Sequence, residues 1–134
     1  NKDTNYAKKL INKYSYKVKF IGGLYNVDHL NSLRHYSNAY LHGHTVGGTN
    51  PSLVEAMSAQ CLVISHKNAF NLSVLGDDAL YYSSVDELSN KIKKINHSNE
   101  IRSSYISNNL NKVKNNYDWD IITNQVEELI IKRH

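Results

Sequence analysis

The chain has 134 residues, of which 40% are hydrophobic and 21% charged, a composition that excludes a disordered protein and allows one domain with a core. It contains no run of about 18 apolar residues, so no membrane-spanning helix is expected. The formal net charge is +4, but the lysines and arginines are scattered along the chain, which argues against nucleic acid as a partner. The single cysteine, Cys61, excludes an internal disulfide and a cysteine-based zinc site, and predicts a reducing, cytoplasmic compartment.

The first part of the chain predicts alternating helices and strands. Thr4 can cap a helix over Asn5–Tyr14, and the alternating apolar pattern of residues 17–21 predicts a strand. A second helix is predicted from Asp28, with an apolar stripe that comprises Leu30, Leu33 and Tyr36. A short strand at residues 39–41 then leads into a polar loop.

The clearest helix start is Asn50-Pro51, because Asn is a favoured N-cap and Pro a favoured first residue. This helix is predicted to run to about Ala59. Residues 61–64 form a continuous apolar run, which predicts a buried strand of a parallel sheet over residues 61–65. A helical turn ending near Gly76 and a strand at residues 79–82 follow.

The rest of the chain predicts three helices. The first has an apolar stripe made of Val85, Leu88, Ile92 and Ile95, and the others cover residues 98–116 and 118–132. The fold class is therefore α/β, with a Rossmann-like parallel sheet flanked by helices and a helical C-terminal tail. Four strands are predicted where a doubly wound domain usually has five or six. We therefore expect residues 1–134 to form one partial domain that has lost its first strands.

The loop before Pro51 has the features of an anion site. Its sequence is His42-Gly43-His44-Thr45-Val46-Gly47-Gly48-Thr49-Asn50. Three glycines leave the backbone open to close approach, and the helix that follows directs its free N–H groups and the positive end of its dipole at the same space. A diphosphate is the biological anion that such a loop predicts.

Glu55 lies in the same helix but on the side opposite Leu53, so it is not expected in the core. A carboxylate about one turn from the phosphate end could accept hydrogen bonds from two ribose hydroxyls. The alternative is an ordinary surface glutamate stabilised by the helix dipole.

The helix and its loop resemble glycosyltransferase family 4, a group of GT-B enzymes that typically carry Glu-Gly-Phe-Gly-Leu-Pro-Leu-Leu-Glu-Ala-Met. The matching segment here is Gly47-Gly48-Thr49-Asn50-Pro51-Ser52-Leu53-Val54-Glu55-Ala56-Met57. The His-Gly-His and Gly-Gly-Thr-Asn-Pro-Ser elements resemble rhamnosyltransferase-like enzymes of bacterial polysaccharide and O-antigen (lipopolysaccharide) assembly. The resemblance extends from about Val18 to Leu129.

The resemblance assigns donor-binding roles to individual residues. Glu55 would hold the ribose, and the backbone around Asn50, Ser52 and Leu53, with Gly47, Gly48 and Thr49, would meet the diphosphate. The segment containing Gly22, Gly23 and Tyr25 would pack the nucleobase. The family's first glutamate, which contacts the transferred sugar, is replaced by Gly47. Either His42 or His44, or the backbone amides of Gly47 and Gly48, would then supply the sugar contact.

The resemblance implies a retaining transferase that moves a hexose or deoxyhexose from a UDP- or dTDP-sugar to a lipid-linked glycan. Neither a cofactor nor a metal is expected. The acceptor would bind to an N-terminal domain outside this chain, and this chain alone is expected to be inactive. The basic charge is compatible with peripheral contact at the inner face of the cytoplasmic membrane. The alternatives are a GT-B nucleotide-sugar epimerase or phosphorylase and, more remotely, a non-catalytic basic binding module.

Overall fold

A computed structural model of the protein describes residues 4–95 and 99–132. The described residues form two compact units, and the boundary between them follows Leu30. Each unit is described by itself.

The N-terminal unit begins with helix α1 (Asn5–Tyr14), as predicted. The Thr4 hydroxyl accepts a hydrogen bond of 3.1 Å from the Ala7 N–H and so caps the first turn. The prediction of a strand at residues 17–21 is wrong, because this segment belongs to no strand of the described sheet. The N–H of Val18 instead donates to the Tyr14 carbonyl at 2.8 Å and prolongs the helix end as a turn. Val18 and Ile21 are exposed, so the alternating pattern buries no face.

From Asn50 onward, the helices and strands occur in the predicted order. In chain order, the elements after α1 are α2 (Val27–His35), β1 (Tyr40–His42), α3 (Pro51–Ser58), β2 (Val63–His66), α4 (Ala69–Leu75), β3 (Leu80–Tyr82), α5 (Val85–Lys94), α6 (Asn99–Asn116) and α7 (Trp119–Ile131). The unit boundary falls within α2. Among the described helices, none combines the length and the apolar character that a bilayer crossing requires.

The strands of the C-terminal unit form a parallel sheet in the order β1-β2-β3. Tyr40 is in register with Val63, and Ile64 with Leu80. The described residues thus contain three strands where four were predicted. The α/β class, the parallel sheet with flanking helices and the helical C-terminal tail are confirmed. All three strands end at the same edge of the sheet, which is where ligands bind in open parallel sheets.

The core lies between the sheet and helices α3 and α4. It comprises Leu53, Met57, Val63, Val74, Leu75 and Ala79, with Val113 of α6 and Tyr117, which follows α6, packed against it. Lys112 of α6 pairs with Asp78 at 2.6 Å and also donates to the Leu75 carbonyl at the end of α4. Apolar packing and this ion pair together fix α6 on the core. Helices α3 and α6 therefore pack against the same core.

Candidate functional site

A small cavity lies beyond the carboxyl end of β1, at the start of α3. Its volume is about 130 Å³, and its wall is made of His44, Val46, Gly47, Gly48, Thr49, Asn50, Pro51, Asn68, Phe70 and Asn71. Sites that enclose a whole drug-sized ligand usually measure about 300–1,000 Å³. The cavity therefore matches one group of a larger ligand, such as a diphosphate, rather than a complete nucleotide sugar. The structure brings His44, Gly47, Gly48, Thr49 and Asn50 together on its wall.

The start of α3 is capped by Asn50. Its side-chain oxygen accepts hydrogen bonds from the Ser52 N–H at 3.0 Å and from the Ser52 hydroxyl at 2.7 Å, and its carbonyl accepts from the Leu53 N–H at 3.0 Å. The amides of Ser52 and Leu53 are thus already used in the cap, and neither residue belongs to the cavity wall. The loop segment from Gly47 to Thr49 becomes the nearest source of backbone donors.

Gly47 adopts a backbone conformation that favours glycine. Its φ angle is +133°, a backbone conformation that residues with a Cβ rarely adopt. A Cβ added there would meet nothing within 4 Å among the described residues, so the constraint comes from the backbone and not from space. The loop follows a path that a glutamate at this position could adopt only with strain.

The cavity wall opposite α3 is held by two asparagines. The side-chain amides of Asn68 and Asn71 both donate to the His44 carbonyl, at 2.9 and 3.1 Å, and Asn71 also donates to the His66 carbonyl at 2.8 Å. Asn68 caps α4 at the same time by accepting from the Asn71 N–H at 2.9 Å. These bonds link the loop after β1, the end of β2 and the start of α4 on one side of the cavity.

The two predicted histidines stack on each other with ring centroids 4.8 Å apart. His42 is only 1% exposed, and neither of its ring nitrogens has a hydrogen-bond partner within the described residues. Burial, with a smaller contribution from His44, lowers the pKa of His42 and outweighs the opposite effect of the nearby Asn71 side chain, so the ring is mainly neutral at physiological pH. His44 lies on the cavity wall and His42 behind it. Of the two, His44 is therefore the one placed for direct contact with a ligand.

Glu55 is exposed, as predicted, and it forms an ion pair with Arg34. Its Oε2 accepts a hydrogen bond of 2.7 Å from Nη2 of Arg34, in α2. The Arg34 side chain is only 9% exposed, whereas the Glu55 side chain is 54% exposed. A buried guanidinium and a half-exposed carboxylate thus meet beside the start of α3.

The sequence did not predict the pairing of Arg34 with Glu55, because the predicted apolar stripe of α2 was wrong. Leu33 and Tyr36 are exposed, and Arg34 is the buried residue of the helix. The only available signal was that Arg34 follows Leu30 by four residues and shares its face. A charged residue on that face is usually solvated, so spacing alone could not assign it to Glu55.

Three predicted donor-site residues lie in the N-terminal unit. Gly22, Gly23 and Tyr25 line a groove of about 930 Å³ beside α1, together with apolar side chains that include Leu10 and Phe20. Tyr25 is 93% exposed, and its ring folds so close to Gly23 that a Cβ there would lie 2.8 Å from the Tyr25 hydroxyl. An exposed aromatic ring over a glycine is a surface on which a flat base could stack.

The family profile described as "Glycosyl transferases group 1" matches residues 1–112. The chain belongs to this family of glycosyltransferases. No curated protein and no solved structure matches the chain significantly.

Membership of the glycosyltransferase group 1 family supports a transferase with a nucleotide-sugar donor and a glycan acceptor in general terms. The match includes the cavity, the α3 cap, Arg34 and Glu55. Within the described ranges 4–95 and 99–132, no group of three or more His, Cys, Asp or Glu side chains is placed to share a metal ion. The groups that this glycosyltransferase group 1 domain offers near the cavity include the backbone N–H groups of the loop, the start of α3 and the Arg34–Glu55 pair.

Proposed function

We propose that the cavity binds the diphosphate of a nucleotide sugar and that Glu55 accepts hydrogen bonds from its ribose. The observation that carries this proposal is a cavity sized for one anionic group at the capped start of α3. The helix dipole and the backbone donors of Gly47, Gly48 and Thr49 favour negative charge there. The same features would stabilise the diphosphate as it leaves the transferred sugar, with no metal or other cofactor.

The finer assignment extends the family resemblance. The protein would be the donor-binding part of a retaining hexosyl or deoxyhexosyl transferase that uses a UDP- or dTDP-sugar, of the rhamnosyltransferase-like branch. Its acceptor would be a lipid-linked glycan of a bacterial surface polysaccharide, reached at the inner face of the cytoplasmic membrane. Gly22, Gly23 and Tyr25 are proposed to pack the nucleobase. His44 is proposed to contact the transferred sugar, with His42 stacked behind it.

The test is a titration of the isotope-labelled chain with UDP and dTDP, followed by NMR of the backbone amides. We expect chemical-shift changes at Gly47, Gly48 and Thr49 with at least one nucleotide, and no such changes with uridine or thymidine, which lack the diphosphate. Binding of only one nucleotide would identify the base. A folded chain whose loop amides respond to neither nucleotide would contradict the proposal.

The variant for this titration is Glu55→Gln rather than Glu55→Ala. Glutamine keeps an oxygen that can accept from Arg34 and removes only the charge, so the fold is better preserved. We expect Glu55→Gln to weaken nucleotide binding. Asp78→Asn, which breaks an ion pair outside the cavity wall, is the matched control and should leave the affinity unchanged.

A further inference from the structure

Arg34 and Glu55 differ in solvent exposure, and a purely structural ion pair does not require this difference. A buried arginine needs a counter-charge, and a buried carboxylate would supply it. Glu55 is instead 54% exposed, and within the described residues its hydrogen bond to Arg34 uses Oε2 alone. The second oxygen, Oε1, therefore stays available to a ligand while the carboxylate is held at one end.

Arg34 makes two further contacts, although its Nε has no hydrogen-bond partner within the described residues. Its Nη1 donates to the Asn31 side-chain oxygen at 3.3 Å, one turn earlier in α2, and its guanidinium lies 6.0 Å from the centroid of the Tyr40 ring. The Tyr40 hydroxyl donates to the Ser52 hydroxyl at 3.1 Å, which in turn donates to the Asn50 cap at 2.7 Å. A continuous set of contacts thus joins the guanidinium to the start of α3.

We propose that Arg34 is a positioning residue for donor recognition, because it holds Oε2 of Glu55 and so presents Oε1 to the ribose hydroxyls. This inference rests on the proposed function and deepens it. A glutamate side chain free in solvent samples several rotamers, and fixing one of them removes that entropic cost from ligand binding. Arg34 does not touch the ligand in this arrangement. It acts through the geometry of Glu55 and of the α3 cap.

The test measures discrimination for ribose hydroxyls rather than affinity alone. UDP, which carries both ribose hydroxyls, is compared with its 2′,3′-dideoxy form. If only dTDP binds, it is compared with its 3′-deoxy form, because its deoxyribose carries the 3′-hydroxyl alone. A hydrogen bond to a charged group should give the wild-type chain a preference of about tenfold for the hydroxylated nucleotide. We expect Glu55→Gln to reduce this preference and Arg34→Gln to reduce it to a similar extent. Arg34→Lys, which keeps the charge but lacks the planar fork, should lie between Arg34→Gln and the wild type.

The control separates positioning from stability. Asp78→Asn removes the other partly buried ion pair and should lower the thermal midpoint while leaving the hydroxyl preference at its wild-type value. If Arg34→Gln does not fold, Arg34→Lys alone provides the test. A folded Arg34 variant that keeps the full preference, while Glu55→Gln loses it, would overturn this inference alone. A wild-type chain with no preference for the hydroxylated nucleotide would overturn both the inference and the ribose role of Glu55.

Discussion

Nη2 of Arg34 lies 2.7 Å from Oε2 of Glu55, and the arginine is the more deeply buried partner, with 9% of its side chain exposed against 54% for the glutamate. The two residues are separated by 21 positions in the chain and belong to different helices. The pair therefore contributes to stability as well as to the candidate site, and the two contributions can be separated by substitution.

Glu55→Ala should destabilise the chain more than Glu55→Gln. Alanine leaves the buried Arg34 charge without its acceptor, at a cost of about 1–2 kcal/mol because water still reaches the half-exposed partner position. Glutamine retains an acceptor oxygen and should cost less. Urea unfolding of both variants measures the difference. Equal stabilities for wild type and both variants would show that the pair has no net stabilising effect.

Gly47→Ala should strain the loop, whereas Gly48→Ala should not. Gly47 has φ of +133°, and forcing a Cβ into that region costs about 1–3 kcal/mol. Gly48 has equally open surroundings without that backbone angle, so its substitution should stay within about 0.5 kcal/mol. Thermal unfolding compares the two, and nucleotide titration should show the larger loss for Gly47→Ala. Indistinguishable variants would show that the loop relaxes freely.

His42 should make the chain less stable in mild acid. Burial lowers its pKa below the usual 6.5, so the unfolded chain binds this proton more readily than the folded chain. The stability present above about pH 6.5 is therefore lost progressively as the pH falls toward the lowered pKa. The thermal midpoint between pH 7.5 and 5 should fall more steeply for wild type than for His42→Gln. His29→Gln, at an exposed position, is the control and should keep the wild-type slope.

Asp78 should contribute stability that is present above about pH 4. Burial alone would raise its pKa, but hydrogen bonds from Asn108 and Lys112 and the Lys112 charge outweigh this and lower it overall. A lowered folded-state pKa gives stability that is lost as the pH falls through it. Asp78→Asn should cost about 1–2 kcal/mol at pH 7, and the difference from wild type should shrink in acid. The neighbouring, exposed Asp77→Asn should have little effect at either pH. A constant difference for Asp78→Asn would contradict the assignment.

The helices were predictable because their signals are local. The caps at Thr4 and Asn50 bond to N–H groups two or three residues away, so the sequence around each contains most of the information. The run at residues 61–65 identified a buried strand for a similar reason, since five consecutive buried residues need cover on both faces. The loop between β1 and α3 was predictable as well, because its Gly-rich segment lies directly before the Asn50-Pro51 helix start.

By itself, the sequence determined the α/β class, the helix starts, the position of the glycine-rich loop before α3 and the exposure of Glu55. Only the tertiary structure decided that residues 17–21 do not join the sheet, that His42 is buried behind His44, and that Arg34 pairs with Glu55. The physical reason is distance along the chain. A cap or an apolar run is stabilised by its neighbours in sequence, but a strand needs a partner edge and an ion pair needs a second side chain. Those partners come from elements whose placement the local pattern does not encode.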